Sequence, residues 1–178
     1  KDLIDNKAVY EYDLWNYYGD AFETENDNGK EDIFNIQFDG NIGVAPHFEG
    51  WKMHKTVFNG GTFGGEQYDG LFTIRPSEYL IKSFGPGDAR GLQITNIFTI
   101  GGVQYSRNAN QKMFKKWIDQ AILDGNLNAQ NSSQDYKVFR FAEIYLIAAE
   151  AENEVNGPTP DAYQWVNTVR ARARMGAD

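Results

Sequence analysis

The chain has 178 residues, with 17 Lys and Arg against 25 Asp and Glu, a formal net charge of −8 and a pI near 4.8. It lacks the basic footprint that non-specific nucleic-acid binding or electrostatic attachment to anionic lipid requires. Hydrophobic residues at 41% exclude a disordered tail, and the absence of Cys excludes disulfides, thiolate chemistry and Cys-ligated zinc. No apolar run approaches the ~20 residues that span a bilayer. The chain opens at Lys1 without a signal peptide and closes on Met175-Gly176-Ala177-Asp178 straight after a helical pattern. The expectation is a section of a longer protein, cut at both ends.

In chain order, Tyr10, Leu14, Tyr17, Tyr18 and Ala21 have helical spacing and predict a helix over Lys7 to Glu23, with Asp5 or Asn6 as N-cap. The polar stretch Glu23 to Gly29 has a calcium-loop composition. Its register puts Thr24 and Asn35 where the ion needs Asp and Glu, so it is read as a plain loop. Asp32 to Asp39 alternate as a half-buried strand, with Phe34, Ile36 and Phe38 on the expected inner face. From Gly40 to Gly70 no periodicity survives, and aromatics are scattered among glycines. A non-periodic stretch of that length is often functional.

Pro76 opens a short helix that runs to Phe84 and is closed by Gly85. Gln93 to Tyr105 read as a hairpin turning at Gly101-Gly102. Met113 to Leu123 fit no single period, and Asn126 to Gln134 form a polar loop carrying the glycosylation-type triplet Asn131-Ser132-Ser133. Val138, Phe141, Ile144, Tyr145, Ala148, Ala151 and Val155 line one face of a helix that ends at Asn156-Gly157-Pro158. Thr159 caps a second helix, with Pro160 at its first position and Ala162, Val166, Val169 and Ala173 inside. The alanines allow close approach, so the pair is an antiparallel αα-hairpin that expects neighbours of the same kind.

The run Arg140-Phe141-Ala142-Glu143-Ile144-Tyr145-Leu146-Ile147-Ala148-Ala149-Glu150-Ala151, followed by Asn153, Gly157, Ala162 and Val166-Asn167-Thr168-Val169-Arg170-Ala171-Arg172-Ala173, resembles the SusD/RagB family. That family marks its hairpin with an Arg-x-x-Glu-x-Tyr-Leu-x-x-Ala-Glu-Ala pattern and an Asn-x-x-Arg-x-Arg-Ala pattern. Glu31 to Phe38 and Pro76 to Leu80 through Phe84 to Asp88-Ala89-Arg90 fit the same family. The family's lipoprotein signal, its earlier helix pairs and its later Glu-Arg-Arg helix are not in this sequence, which therefore resembles a middle section. The resemblance implies a mainly α fold with an irregular, loop-rich part and a small β-hairpin, belonging to a SusD-like tetratricopeptide-type α-solenoid. Residues 1–135 would form the loop-rich part and 136–178 the helical hairpin of one domain. It implies a non-catalytic glycan-binding lipoprotein on the outer face of the outer membrane, anchored by a lipid outside this chain. Such a protein sits on a SusC-like TonB-dependent transporter and uses no cofactor; some relatives capture peptides or other nutrients.

For a glycan, a flat aromatic ring stacks on sugar C–H faces while neighbouring amides and carboxylates bond the hydroxyls. Trp51 is the first candidate platform, with His54 and Tyr68 behind it; the competing reading is that such rings plug the loop onto the core. Arg140, Glu143, Glu150, Arg170 and Arg172 look like a charge relay, but salt bridges tying the helical hairpin to neighbouring loops explain the set better, with Arg140, Glu150, Arg170 and Arg172 as structural residues. His47 and His54 lack a third zinc ligand, and Gly60 to Gly65 lack the Lys-Ser/Thr ending of a phosphate loop. Nothing marks the converging carboxylates of a glycosidase. A glycoside hydrolase and a helix-pair protein scaffold stand as the alternatives to glycan capture.

Overall fold

The computed structural model describes residues 1–38, 53–125 and 132–174. Helix α1 (Asp2–Asp5) opens the chain, and 3-10 helices at Tyr18–Phe22 and Thr24–Asn26 precede strand β1 (Asp32–Ile36). Then come α2 (Met53–Val57), β2 (Gly61–Phe63), β3 (Glu66–Tyr68), α3 (Glu78–Ser83), β4 (Ile94–Thr95), β5 (Ile97–Ile100), β6 (Val103–Ser106), β7 (Met113–Phe114) and α4 (Gln120–Gly125). Strand β8 (Tyr136–Arg140) runs directly into the two longest helices, α5 (Phe141–Asn156) and α6 (Pro160–Arg172). Among the described residues the strands pair two at a time, all antiparallel: β1 with β8, β2 with β3, β4 with β7 and β5 with β6.

The αα-hairpin forms as its sequence predicts. Glu143 accepts from the Arg140 backbone N–H at the start of α5, and Gly157 ends the helix. The Thr159 hydroxyl accepts from the Ala162 N–H, and Pro160 takes the first position of α6. Leu14, Phe141, Ala142, Tyr145, Ala149 and Trp165 form one core cluster. Val138, Ala151 and Val155, expected on the inner face, are exposed; the buried stripe of α5 runs through Ala142 and Ala149 instead. The β5–β6 hairpin turns at Gly101-Gly102, both at positive φ, as a two-residue connection of right-twisted strands demands. A second cluster, Phe58, Phe63, Tyr68, Phe98, Ile100, Met113 and Leu123, sits beneath it.

The helix expected over Lys7 to Glu23 does not form. Its backbone donors find tertiary partners instead: the Asp13 N–H bonds the Lys30 carbonyl, and the Trp15 N–H bonds the Glu31 carboxylate. Tyr12 stacks on Phe141 at 5.6 Å, so the segment lies across α5. The described part of the Gly40–Gly70 stretch is also not a loop, since residues 53–70 hold α2 and the β2–β3 hairpin. Trp51 and His47 lie outside the described residues, as does Asn131 of the glycosylation triplet.

Strand β1 forms, but its faces are exchanged relative to expectation. Phe34 and Ile36 are 57% and 47% exposed, while Asp32 turns inward. The register is irregular between Asp32 and Asn35, where the pairing with β8 shifts. The inner face is polar because the Lys137 ammonium, buried on β8, lies 2.6 Å from Asp32 and also pairs with Asp27. Carboxylates taken out of water need such a partner, and that need outranks the burial of two apolar rims. Asp27 belongs to the stretch with calcium-loop composition, and here the cation beside it is a lysine.

Candidate functional site

Two of the three expected glycan contacts are interior residues. His54, on α2, is 2% exposed; its Nδ1 accepts the Asp119 N–H at 3.0 Å and its ring stacks on Phe58 at 5.2 Å. Asp119 in turn accepts from the Ala121 N–H and the Ser132 hydroxyl. Burial pulls the His54 imidazole down to about 4, so it is neutral near pH 7. Tyr68, at the end of β3, packs on Phe63 at 5.8 Å in the second core cluster. Neither ring offers a face to a ligand. The hairpin β2–β3 folds down onto Phe98 and Tyr105 and carries Tyr68 into the core, while α2 brings His54 against Phe58 and Asp119, long-range closures that the glycine-rich spacing did not signal.

The charged set divides in two. Arg140 and Arg172 converge on the fully buried Glu31: Arg140 Nη1 lies 2.6 Å from Oε1, and Arg172 reaches both carboxylate oxygens at 2.7 and 3.1 Å. Glu31 also accepts the Trp15 N–H, and its backbone carbonyl accepts the first N–H of α5, from Phe141. It ties the hairpin to the N-terminal segment. Glu150 and Arg170 are exposed and take no part; Arg170 touches Asn167 on its own helix at 3.4 Å. Sequence reasoning missed Glu31 as the hub, because its partners lie 109 and 141 positions away and nothing local marks it.

Outside this hub a cleft of about 320 Å³ opens between α5, α6 and the Asp88–Arg90 turn. Arg90, Arg140, Arg170, Arg172 and Arg174 line it, with Leu146, Val166 and Val169 as an apolar wall. The Arg90 fork grips Asp88 at 2.9 and 2.5 Å and holds that carboxyl below the usual range, with Arg174 adding to the effect. The Tyr18 ring closes one side, with the Arg172 guanidinium 5.2 Å from its centre. A second cleft, of about 410 Å³, lies beyond Arg90 and is lined by Leu80, Phe84, Ile94, Phe114 and Lys116. A third, of about 420 Å³, holds Tyr17, Glu23, Gln104, Lys115 and Gln120. Burial pushes the Glu23 carboxyl up. Among the described residues no group of three His, Asp or Glu is placed to hold a metal ion, and no helix is long and apolar enough to cross a membrane.

The model of the SusD family matches residues 20–177. The SusD-like protein P2 of Formosa agariphila is 30% identical over 187 residues, which cover 98% of this chain and 37% of that protein. Surface glycan-binding protein A from Bacteroides uniformis superposes with a TM-score of 0.70 at 22% identity, over 98% of this chain and 36% of its own. Surface glycan-binding protein A from Bacteroides thetaiotaomicron, solved in complex with laminarihexaose, superposes with a TM-score of 0.69 at 18% identity, over 93% of this chain and 40% of its own. The chain thus spans little more than a third of the length of these relatives.

Proposed function

We propose, from the premise that this chain belongs to the SusD family, that it captures a glycan at the cell surface without cleaving it and passes it to a TonB-dependent transporter of the outer membrane. The protein works on the outer face of that membrane, held by a lipid anchor outside this chain, and its helical hairpin is one unit of a tetratricopeptide-type solenoid. Family membership carries the proposal, and the laminarihexaose held by one structural neighbour supports it.

The carboxylates favour capture over hydrolysis. A glycosidase needs one carboxyl kept protonated opposite a second that is ionised. In the arginine-lined cleft Asp88 is held ionised by Arg90, and Glu143 is engaged by the Arg140 backbone N–H. Glu23, whose carboxyl is raised, is the single carboxylate among the described residues lining its cleft. With His54 and Tyr68 in the core, Trp51 is the proposed stacking platform: a large rigid ring loses little entropy on binding.

Affinity electrophoresis of the full-length protein through a panel of soluble polysaccharides tests the capture, and reducing-sugar release tests the absence of cleavage. Trp51→Ala is expected to weaken the retained glycan by about 2–4 kcal/mol, roughly 30-fold or more. A large fall in melting temperature with affinity intact would place Trp51 in the core. One observation favours a second reading, a helix-pair scaffold for another protein. A groove of about 270 Å³ between α5 and α6, lined by Leu146, Ala149, Tyr163 and Val166, is open to solvent. Absence of retention on every polysaccharide would favour it.

A further inference from the structure

We infer that the arginine-lined cleft between α5, α6 and the Asp88–Arg90 turn receives the anionic substituent, carboxylate or sulfate ester, of an acidic saccharide. The inference rests on the glycan-capture reading and narrows its ligand class. The chain carries a formal charge of −8, yet five guanidiniums line this one cleft. The carboxylates available to them are Asp88, Glu143 and, behind the wall, Glu31, so two cations are in excess. Asp88 is committed to Arg90, and Glu31 to Arg140 and Arg172.

Among the described residues Arg170 and Arg174 carry no ion pair, and both are exposed at the cleft. The Arg172 side chain is 5% exposed, and its buried Nε has no hydrogen-bond partner. The cleft rim therefore holds two cations that make no ion pair among the described residues. Guanidinium is charged at every working pH and presents paired N–H donors that match the oxygens of a carboxylate or a sulfate. Leu146, Val166 and Val169 supply the apolar surface that a pyranose C–H face needs beside its charged group. A volume of about 320 Å³ lies at the lower end of small-molecule sites, which begin near ~300 Å³. The negative field of the rest of the chain repels anions at a distance, so retention depends on short-range contacts that salt weakens.

The test is calorimetric titration of the full-length protein with two matched pairs: an oligogalacturonate and its methyl ester, and a sulfated galactan oligosaccharide and its desulfated form. Each is repeated with an Arg170→Ala/Arg174→Ala double variant, which thermal melting should show folded, because both side chains are exposed. The acidic member of at least one pair is expected to bind about tenfold or more tightly than its neutral match. That advantage should shrink with added salt and vanish in the double variant, while neutral binding holds. Equal binding within both pairs, or an advantage that survives the double variant, overturns the inference. An acidic peptide segment of the protein occupying the cleft would also overturn it, read as a lower melting temperature in the double variant with saccharide binding unchanged. If the acidic preference fails while polysaccharides are still retained in electrophoresis, only the cleft's assignment falls. If no glycan of either kind binds, the capture reading falls with it.

Discussion

Glu31 has a guanidinium on each side, and the two are not equivalent. Arg172 is the more buried and reaches both oxygens, while Arg140 reaches one and is also backed by the Phe22 ring at 5.1 Å. Removing Arg140 leaves Glu31 with Arg172 and the Trp15 N–H; removing the Glu31 charge strands two cations together. Glu31→Gln is therefore expected to cost about 3–5 kcal/mol, and Arg140→Ala about 2 kcal/mol. Denaturant midpoints with unchanged slopes measure both, and equal losses would show that Glu31 is not shared. His54 supplies a pH signature at the same scale. Its folded value, about 4, lies below the ordinary 6.5, so between those pH values the unfolded chain binds a proton that the native imidazole refuses. Its contribution to stability is complete above pH 6.5 and is lost as pH falls toward 4. From pH 6.5 to 5 the loss is about 2 kcal/mol. His54→Gln keeps an acceptor for the Asp119 N–H and should flatten that part of the unfolding free-energy profile. A profile with the same slope in the variant would assign it to other groups.

At the scale of elements, the β2–β3 hairpin is held where two backbone segments cross without side chains between them. A Cβ built on Gly70 would lie 2.5 Å from the Phe58 carbonyl oxygen, and one on Gly60 would lie 2.5 Å from the Gly70 nitrogen. Arg107 bonds the Asn59 and Gly60 carbonyls and lies 4.5 Å from the centre of the Phe63 ring, fixing the crossing from the other side. Gly70→Ala is expected to destabilise by about 1–3 kcal/mol, since rigid backbone must move. Gly85→Ala, which meets no atom within 4 Å, should stay within about 0.5 kcal/mol. Equal melting temperatures for the two variants would deny the crossing. In the αα-hairpin, Thr159→Ala should cost about 1 kcal/mol, because it frees the Ala162 N–H and the Glu152 carboxylate together.

At the scale of the whole molecule, apolar side chains face outward from two places. Ile147, Val155 and Tyr163 stand on the outer faces of α5 and α6, and Phe34, Ile36 and Val138 on the outer face of the β1–β8 pair. Patches of this kind on soluble chains are contact surfaces. A polypeptide limited to these 178 residues is expected to bind a hydrophobic dye such as anilinonaphthalene sulfonate and to self-associate, whereas the full-length protein does neither. A monomeric, dye-silent 178-residue polypeptide with a sharp thermal transition would show that these faces need no cover.

What the sequence by itself determined were the features written in neighbouring residues. Thr159-Pro160, Gly157 and the alanine stripe specify the αα-hairpin, and Gly101-Gly102 specifies the β5–β6 turn; the short helix expected from Pro76 forms as α3 but starts two residues later, behind Ser77, whose hydroxyl accepts the Leu80 N–H. The family was legible for the same reason, since its signature lies along that hairpin. Only the tertiary structure decided where residues distant in sequence came together. Tyr10, Leu14, Tyr17, Tyr18 and Ala21 have helical spacing, but the segment is spent on tertiary partners, Tyr12 on Phe141 129 positions away and Trp15 on Glu31. Phe34 and Ile36 alternate like a buried face, yet Lys137 claims the inner side for Asp32. His54 and Tyr68 read either as ligand contacts or as rings plugged onto the core, and the structure chooses the core: Asp119 and Phe58 hold His54, and Phe63 and Phe98 take in Tyr68. Local propensity acts over one turn or one pleat, whereas the pairing of a buried charge depends on chain distances that no local pattern encodes.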